Sequence, residues 1–263
     1  MRISIITACY NAAATLGATM ESVVRQSWAD VEYIVVDGGS TDGTVDVIRE
    51  FASGRDIKWI SEPDAGMYDA VNKGIQMATG DVIGILNADD AFLDCDVIQR
   101  IAHAFTDEVD AVYSDVRFAD HTGKIVRYYW AKHWRPWMLQ WGFMPPHPGI
   151  YIRRECFERL GIYKLGYHIA ADYELVIRFL RKNHLRTRYL DICAVEMRMG
   201  GKSTRDWRSN WLLNKEIVRA NRETGYYCCL PMLVPKYLFK VFEFITPRVQ
   251  RMFGKGKDRR TCG

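Results

Sequence analysis

Two adjacent carboxylates, Asp89 and Asp90, follow the apolar residues 82–86, a run that is typical of a buried strand. Neighbouring carboxylates that lose water repel each other, so they are best tolerated where a cation neutralises them. Mg²⁺ or Mn²⁺ fits, because these ions usually bind through one or two carboxylates together with substrate phosphates. The pair therefore indicates a metal site for a nucleotide diphosphate. The alternative is that Asp90 or Asp94 caps the helix that follows.

A third carboxylate, Asp37, ends the strand-like residues 32–37, whose middle is apolar, and directly precedes a glycine-rich stretch, residues 38–43. A carboxylate at this position can accept hydrogen bonds from the N–H groups of a nucleobase, and the glycines let the backbone approach a ligand closely. The alternative is a helix start capped by Asp42 or Thr44, which explains Asp42 well and Asp37 poorly.

The elements that must position these side chains alternate along the chain. The sequence predicts strands over residues 3–7, 32–37, 57–60 and 82–86, and helices over residues 12–26, 45–51 and 67–78. This alternation predicts an α/β fold with a mainly parallel sheet flanked by helices. Polar clusters follow three of the strands, at residues 7–11, 37–42 and 87–90. We therefore expect them to converge on the carboxyl edge of the sheet, where a nucleotide belongs.

The second half of the chain is less regular. A strand is predicted over residues 111–113, a helix over 171–181, a strand over 187–197 and a long basic helix over 205–222. Residues 128–151 are rich in Tyr, Trp, Pro and Met, which suits an aromatic-lined cleft and equally a hydrophobic packing surface. We find no internal repeat and no linker, so we expect one continuous domain.

The charges are divided unequally between the two halves. Residues 1–126 carry 9 basic and 21 acidic side chains (net −12), whereas residues 127–263 carry 27 basic and 11 acidic side chains (net +16). An acidic half suits a metal site, and a basic half suits pyrophosphate or a membrane surface. Seven cysteines without a C-x-x-C pair argue against zinc and disulfides and favour the cytosol. We expect no signal peptide, and no run approaches the ~18 uncharged apolar residues of a membrane span.

Four motifs occur in order within residues 35–90. They are Val-Val-Asp-Gly-Gly-Ser-Thr-Asp-Gly-Thr at 35–44, Glu-Pro-Asp-Ala-Gly-Met-Tyr-Asp-Ala-Val-Asn-Lys-Gly at 62–74, Gly-Asp at 80–81 and Asn-Ala-Asp-Asp at 87–90. Their order and spacing resemble a family 2 glycosyltransferase. The resemblance implies a GT-A fold and an inverting transfer of sugar from a nucleotide-diphosphate donor, with UDP favoured and GDP and dTDP open.

The resemblance also assigns roles to residues. The nucleotide-binding residues that it implies are Thr7, Ala8, Tyr10, Asp37, Asp69, Lys73 and Asp89. Asp37 would bind the base, Asp89 the ribose or the metal, and Asp90 the metal that bridges the two phosphates. Asp69 and Lys73 lie four residues apart on one helix face, so a surface ion pair is the alternative for them.

An inverting transfer needs a general base that takes the proton from the acceptor hydroxyl, while a metal carries the charge on the leaving diphosphate. The family supplies this base from an acid that opens a late helix, often within Glu-Asp-Tyr. This chain has Ala-Asp-Tyr at 171–173, so Asp172 matches and the preceding acid is absent. The departure removes a carboxylate that could raise the pKa of the base. The alternative role for Asp172 is a helix N-cap.

Residues 145–149 resemble the acceptor-side loop that precedes the family's last core strand. His147 in this loop could orient the acceptor, contact the diphosphate or serve packing alone. Residues 200–204, Gly-Gly-Lys-Ser-Thr, are not a P-loop, because Glu196 stands where the first glycine belongs. A basic lid over the pyrophosphate and a solvated loop are both open for them.

The tail, residues 226–263, mixes apolar and basic side chains in a pattern typical of a basic amphipathic helix, which Pro247 would interrupt. Such a helix can lie on an anionic membrane, or it can pack on the core and leave a disordered basic end. With the basic second half, the tail favours a lipid-linked acceptor and peripheral contact with the inner face of a membrane.

The sequence thus predicts a GT-A domain over residues 1–225, followed by the tail. Residues 1–115 would bind the nucleotide sugar and residues 116–225 a saccharide or lipid-linked acceptor in cell-surface polysaccharide biosynthesis, without a nucleic-acid partner. The alternative is a non-catalytic sugar-nucleotide-binding subunit of an assembly complex, against which the intact carboxylates argue. A nucleotidyltransferase would need a glycine-rich basic loop after the first strand, and residues 7–11 contain no Gly, Lys or Arg.

Overall fold

The computed structural model describes residues 1–198 and 207–238. Within these residues one sheet has nine strands, in the order β3-β2-β1-β4-β8-β6-β9-β5, with β7 paired to β6. The strands are β1 (Ile3–Cys9), β2 (Val31–Asp37), β3 (Ile57–Ser61), β4 (Val82–Ile85), β5 (Ala91–Phe92), β6 (Ala111–Ala119), β7 (Ile125–Tyr129), β8 (Ile150–Arg153) and β9 (Thr187–Arg198). Residues 200–204, for which a lid is one of the predictions, and residues 239–263 of the tail lie outside the described residues.

Helices cover both faces of this sheet. The α-helices of the described residues are α1 (Ala13–Val24), α2 (Thr44–Ala52), α3 (Met67–Met77), α4 (Val97–Ala104), α5 (Arg154–Leu160), α6 (Ala171–Val176) and α7 (Trp207–Glu223). A π-helical segment, Ile177–Lys182, continues α6. Short 3-10 helices lie at Pro136–Trp141, His147–Gly149 and Leu230–Leu233. Helices α1, α2 and α4 pack on one face, and α3, α5, α6 and α7 pack on the other.

The first half forms the predicted parallel β-α-β arrangement. β1 pairs with β2 and β4, and β2 pairs with β3, all in parallel. β1 is longer than predicted, because the pairs Ala8↔Val36 and Cys9↔Asp37 extend its ladder past Thr7. The carboxyl ends of four neighbouring strands therefore lie along one edge of the sheet.

The second half is mixed in direction. β8 runs antiparallel to both of its neighbours, β4 and β6, while β6 and β9 are parallel. β6 continues six residues beyond the predicted strand, because its second half pairs with β7 on one side and β9 on the other. The helix predicted over residues 171–181 is present, and its second half, Ile177–Lys182, is π-helical.

A buried carboxylate at the other edge of the sheet fixes where β4 begins. Glu32 on β2 accepts hydrogen bonds from the Ser4 hydroxyl at 2.5 Å and from the backbone and hydroxyl of Thr79, both at 2.8 Å. Lys58 lies 2.6 Å from the same carboxylate. Burial alone would raise the pKa of Glu32, but these partners outweigh it and lower that pKa to about 2. The network ties the turn before β4 to β1 and β2.

We expect Glu32→Gln to lower the free energy of unfolding by about 2–3 kcal/mol at neutral pH, because the variant loses the charged hydrogen bonds. The folded-state pKa lies below the ordinary value of 4.5, so this stabilisation is complete above pH 4.5 and is lost as the pH falls towards 2. Urea unfolding of both proteins at several pH values measures the difference. Glu50→Gln, at an exposed carboxylate of α2, is the control. A difference independent of pH would contradict this assignment.

Candidate active site

The polar loops that follow β1, β2 and β4 converge, as the sequence predicts. The backbone N–H of Asn11 donates to the Ser40 hydroxyl at 2.8 Å, and the N–H of Thr41 donates to the Asn11 side chain at 3.0 Å. The loop after β4 is held by α1, where the Thr19 hydroxyl donates to the backbone carbonyl of Asp90 at 2.7 Å. The three loops therefore lie side by side at the carboxyl edge of the sheet.

Asp37 is fully buried and organises the loop that follows it. Its carboxylate accepts hydrogen bonds from the backbone N–H groups of Gly39 and Ser40, at 3.1 and 3.0 Å, and from the Ser61 hydroxyl at 2.7 Å. The Ser40 hydroxyl donates to its second oxygen. Burial would raise the pKa of Asp37, but these donors outweigh it and hold the pKa below its ordinary value. Base binding by Asp37 stays a prediction, whereas its part in shaping the loop was not foreseen.

The three predicted pocket residues on β1 and just after it differ in exposure. Thr7 is buried and accepts a hydrogen bond from the Tyr33 hydroxyl at 3.2 Å. Ala8 is partly buried against the core. Tyr10 is 60% exposed, so its ring is open to a ligand. Of the three side chains, that of Tyr10 has the largest exposed fraction.

Asp69 and Lys73 on α3 hold the segment before that helix. Asp69 accepts a hydrogen bond from the backbone N–H of Ala65 at 3.0 Å. Within the described residues, Lys73 pairs with Glu62 at 2.8 Å rather than with Asp69, and it also donates to the carbonyl of Pro63 at 3.0 Å. The hydrogen bond to Glu62 raises the pKa of Lys73. The alternative of an Asp69–Lys73 ion pair is therefore wrong, and nucleotide contact stays a prediction.

Asp89 and Asp90 share an environment that disfavours their charged forms. Asp90 is 2% exposed and accepts a hydrogen bond from the Asn87 side chain at 2.7 Å. Burial, together with the neighbouring charge of Asp89, raises the pKa of Asp90 to about 8. Burial also raises the pKa of the more exposed Asp89, against the opposing charge of Arg198. Both pKa shifts favour the protonated forms of these carboxyl groups.

The pair fits a divalent cation by its chemistry, because two adjacent carboxylates that repel each other lie in the loop after β4. No group of three or more His, Cys, Asp or Glu side chains in residues 1–198 and 207–238 could hold a metal. The remaining ligands would therefore be donor phosphates and water. Helix α4 begins at Val97 with Asp96 as its N-cap residue, so the alternative that Asp90 caps it is wrong, whereas Asp94 accepts the backbone N–H of Asp96 at 3.0 Å just before the helix.

Asp172 lies in the first turn of α6 and is half-buried. One of its oxygens, Oδ1, accepts the backbone N–H of Tyr173 at 2.7 Å and the Tyr68 hydroxyl at 3.3 Å. Burial raises its pKa, against the opposing effects of His147 and these hydrogen bonds. Ala170 is the N-cap residue of α6, so the N-cap alternative for Asp172 is wrong.

His147 belongs to the same cluster as Asp172. Its Nε2 atom lies 2.7 Å from the Tyr163 hydroxyl, and the Tyr163 ring stacks on that of Tyr68 with a centroid distance of 5.6 Å. Burial lowers the pKa of His147, and the charge of Asp172 opposes this. His147 lies just before β8, which is antiparallel to β4, so the cluster is at the same sheet edge as Asp89 and Asp90.

Two residues on one face of α3 connect the halves of the site. Asn72 donates to the carbonyl of Tyr163 at 2.8 Å and accepts its N–H at 2.9 Å. Tyr68, four residues earlier, donates to the carbonyl of Ile169 and to Asp172. Sequence reasoning missed this role. The signal was an asparagine at a position where the helical period requires an apolar side chain.

Glu216 of α7 holds the segment directly before Asp172. Its buried carboxylate accepts three consecutive backbone N–H groups, of His168 at 2.7 Å, Ile169 at 2.9 Å and Ala170 at 2.8 Å. It thereby satisfies donors at the start of α6 that have no partner within the helix. Sequence reasoning missed Glu216 too, since its partners are distant in the chain.

The sequence matches the family model described as Glycosyl transferase family 2 over residues 4–178. Proteins named PGL/p-HBAD biosynthesis glycosyltransferase, from Mycobacterium bovis and Mycobacterium tuberculosis, are 33% identical over 219 residues, which is 82% of either chain. An uncharacterized glycosyltransferase of Nostoc sp. is 33% identical over 175 residues, 61% of this chain and 53% of its own.

Solved structures share the fold. S. aureus TarS 1-349 in complex with UDP-GlcNAc superposes with a TM-score of 0.67 at 16% identity, over 97% of this chain and 76% of its own. The mannosyltransferase PcManGT from Pyrobaculum calidifontis, in complex with GDP-Man and Mn²⁺, gives 0.61 at 17% identity, over 97% and 88%. This chain spans 46% of the longer S. aureus TarS structure. These likenesses confirm the predicted GT-A fold.

We expect Asp90→Asn to raise the melting temperature in EDTA, because the amide cannot acquire the buried charge. The folded-state pKa of about 8 exceeds the ordinary 3.8, so the parent loses stability as the pH rises between these values. The variant's advantage should therefore grow over this range. UDP with Mn²⁺ should stabilise the parent and not the variant.

Thermal unfolding of the parent, Asp90→Asn and the control Asp107→Asn, at an exposed carboxylate, tests both effects. A variant that still responds to UDP only when Mn²⁺ is present would remove Asp90 from the metal site. GDP, dTDP and CMP in parallel identify the base.

Proposed function

Because the chain belongs to glycosyl transferase family 2, we propose that it is a metal-dependent, inverting enzyme that uses a nucleotide-diphosphate sugar. The acceptor is a saccharide or a lipid-linked saccharide in cell-surface polysaccharide biosynthesis. The observation that carries the proposal is the placement of a pair of carboxylates and a third carboxylate at one sheet edge. Asp89 and Asp90 follow β4, and Asp172 belongs to the cluster of His147, which precedes the antiparallel neighbour β8.

The donor binds along the first-half loops. The exposed ring of Tyr10 is free to stack on the nucleobase, and Asp37 holds the glycine turn against which the nucleotide lies. Asp69 and Lys73 fix residues 62–66 beside that turn. UDP is the first donor to test, because S. aureus TarS is solved with UDP-GlcNAc, and GDP is the second, because PcManGT is solved with GDP-Man.

Asp90 and Asp89 would hold Mg²⁺ or Mn²⁺. When bound, such an ion neutralises charge on the diphosphate as it leaves. The neighbouring mannosyltransferase structure contains Mn²⁺, which supports testing manganese first. The raised pKa values of the pair support the same assignment, since a cation favours the deprotonated form of both side chains.

Asp172 is the general base of the proposed transfer. The acceptor hydroxyl oxygen attacks the anomeric carbon, the bond from that carbon to the diphosphate oxygen breaks, and the hydroxyl proton passes to Asp172. Both hydrogen bonds that Asp172 accepts from described residues reach Oδ1, so Oδ2 is the oxygen that we assign to the proton. The raised pKa of Asp172 makes it a stronger proton acceptor than an exposed carboxylate.

A lipid-linked acceptor would bring the protein to the cytoplasmic face of a membrane. In the described part of the chain, none of the helices combines the length and apolar character needed to cross a bilayer. The described part of the tail is apolar and exposed at Val234 and Leu238. We therefore propose peripheral contact through the tail.

Replacing Asp172 with Asn should reduce transfer at least about a hundredfold, because the amide cannot accept the proton. Stabilisation by UDP and Mn²⁺ should be unchanged, because Asp172 lies outside the donor loops. In the parent, kcat/KM should rise with pH through a pKa above the ordinary 3.8 of an aspartate, because the base must be deprotonated. Normal turnover by the variant would remove Asp172 as the base, and donor binding without turnover in the parent would favour the non-catalytic alternative.

Glu216→Gln should lower kcat about tenfold while the KM for the donor stays within about twofold, because only the base-bearing segment shifts. The uncharged amide accepts fewer of the three N–H groups and presents a donor to them. Steady-state kinetics and thermal unfolding should be measured beside Glu158→Gln, a control at an exposed ion pair of α5. Equal losses of donor affinity and turnover would indicate a role in folding alone.

A further inference from the structure

We propose that an exposed aromatic and aliphatic surface beside the base docks on an anionic lipid bilayer. We call it the docking face. It consists of Trp137, Trp141, Tyr227, Leu230, Val234 and Leu238. The inference rests on the proposed function, because it supplies the way in which a membrane-held acceptor reaches Asp172. It goes beyond contact through the tail alone, since two of its residues lie in the acceptor-side half.

The docking face is unusually exposed for its composition. Trp137 is 59% exposed and Trp141 38%, both on the 3-10 helix Pro136–Trp141. Tyr227 is 71% exposed. Large side chains of this kind are normally buried, and Trp and Tyr concentrate where a protein meets the headgroup region of a bilayer.

Its aliphatic part is a single stripe. Leu230, Val234 and Leu238 are spaced four residues apart, with exposures of 36%, 55% and 61%. Residues 234–238 are helical and directly follow the 3-10 helix Leu230–Leu233. Val234 and Leu238 lie four residues apart and so share one face of the helix, and Leu230 precedes them in the adjoining 3-10 helix.

The two segments of the docking face are bound to each other. The Gln140 side chain donates to the carbonyl of Tyr227 at 2.7 Å. Arg181 donates to the Gln140 side chain at 2.8 Å, and its guanidinium lies 3.9 Å from the centre of the Tyr226 ring. Gly142, with a φ of +79°, lies against Leu233. The tryptophans and the aliphatic stripe therefore belong to one packed unit.

Basic side chains predominate in the sequence segments of the docking face. The three segments that build and support it, residues 121–154, 175–190 and 224–242, contain no Asp or Glu. Among their basic residues, Arg135 and Lys182 are exposed and Arg181 is partly exposed, while Lys132 pairs with Asp191 at 3.2 Å. Apolar side chains surrounded by basic ones match an anionic bilayer, in which the acyl region takes the former and the headgroups the latter.

The docking face is joined to the residue after the proposed base by one hydrogen bond. The hydroxyl of Tyr173, the residue after Asp172, donates to the carbonyl of Leu139 between the two tryptophans. The same hydroxyl accepts a hydrogen bond from the Asn221 side chain of α7 at 3.1 Å. A bilayer that contacts Trp137 and Trp141 is thus held next to the start of α6. An acceptor anchored in that bilayer meets Asp172 with its polar end.

The test is co-sedimentation of the full chain with vesicles of phosphatidylcholine alone and of phosphatidylcholine mixed with phosphatidylglycerol. We expect binding to the mixed vesicles only, weakened by salt because surface charge drives it. The double variants Trp137→Ser/Trp141→Ser and Val234→Ser/Leu238→Ser should each lower the partition coefficient about tenfold. Trp28→Ser, at a partly exposed tryptophan that packs on the opposite face of the sheet, is the matched control.

Three outcomes would overturn the proposal. The first is a parent that fails to bind the mixed vesicles, and the second is binding that both double variants retain. The third is a parent that self-associates in light scattering through these residues and ignores vesicles, which would make the face a protein interface. Stabilisation by UDP and Mn²⁺ is measured on every variant. Its retention separates failure of the docking face from failure of the proposed function.

Discussion

The hydrogen bonds from α3 to the segment before α6 hold the two halves of the site in one geometry. Asn72 binds both backbone groups of Tyr163, and Tyr68 reaches Ile169 and Asp172 from the same helix face. The other side of α3 packs closely on β1, where Gly74 leaves no room for a side chain beside Ile6. Asp172, the proposed base, is therefore positioned through a packed helix and not through a flexible connection.

Three aspartates at one sheet edge, of which two are buried and one is half-buried, acquire different properties from their surroundings alone. Asp37 is surrounded by hydroxyl and N–H donors, so its charged form is favoured and it holds a loop. Asp90 has few hydrogen-bond donors and a charged neighbour, so its protonated form is favoured. Asp172 lies between these cases, with donors on one oxygen and burial opposing its charge. The type of residue is the same in each case, and the number of hydrogen-bond donors around the carboxylate decides whether its charged form is favoured.

The first half could be predicted from the sequence because its signals are local. Alternating apolar runs fix the four parallel strands, and the polar residues that follow each run must meet at one edge. The second half could not be predicted as well, because β7 and the long β6 depend on pairing with distant strands. For the same reason the partner of Lys73 and the role of Glu216 were missed. Spacing along a helix shows which residues share a face, but it does not show what that face meets.

The order of the anchors along the chain has a consequence for biosynthesis. The segment before α6 is fixed by Asn72, far earlier in the sequence, and by Glu216, far later. Contacts between distant residues form late in folding, because the loop between them must close first. The loops after β1 and β2 are held by residues of the first half, whereas the loop after β4 leads into β5, which pairs with β9 late in the chain. A chain released before α7 has been synthesised would therefore lack the anchor that fixes the segment before Asp172, the proposed base.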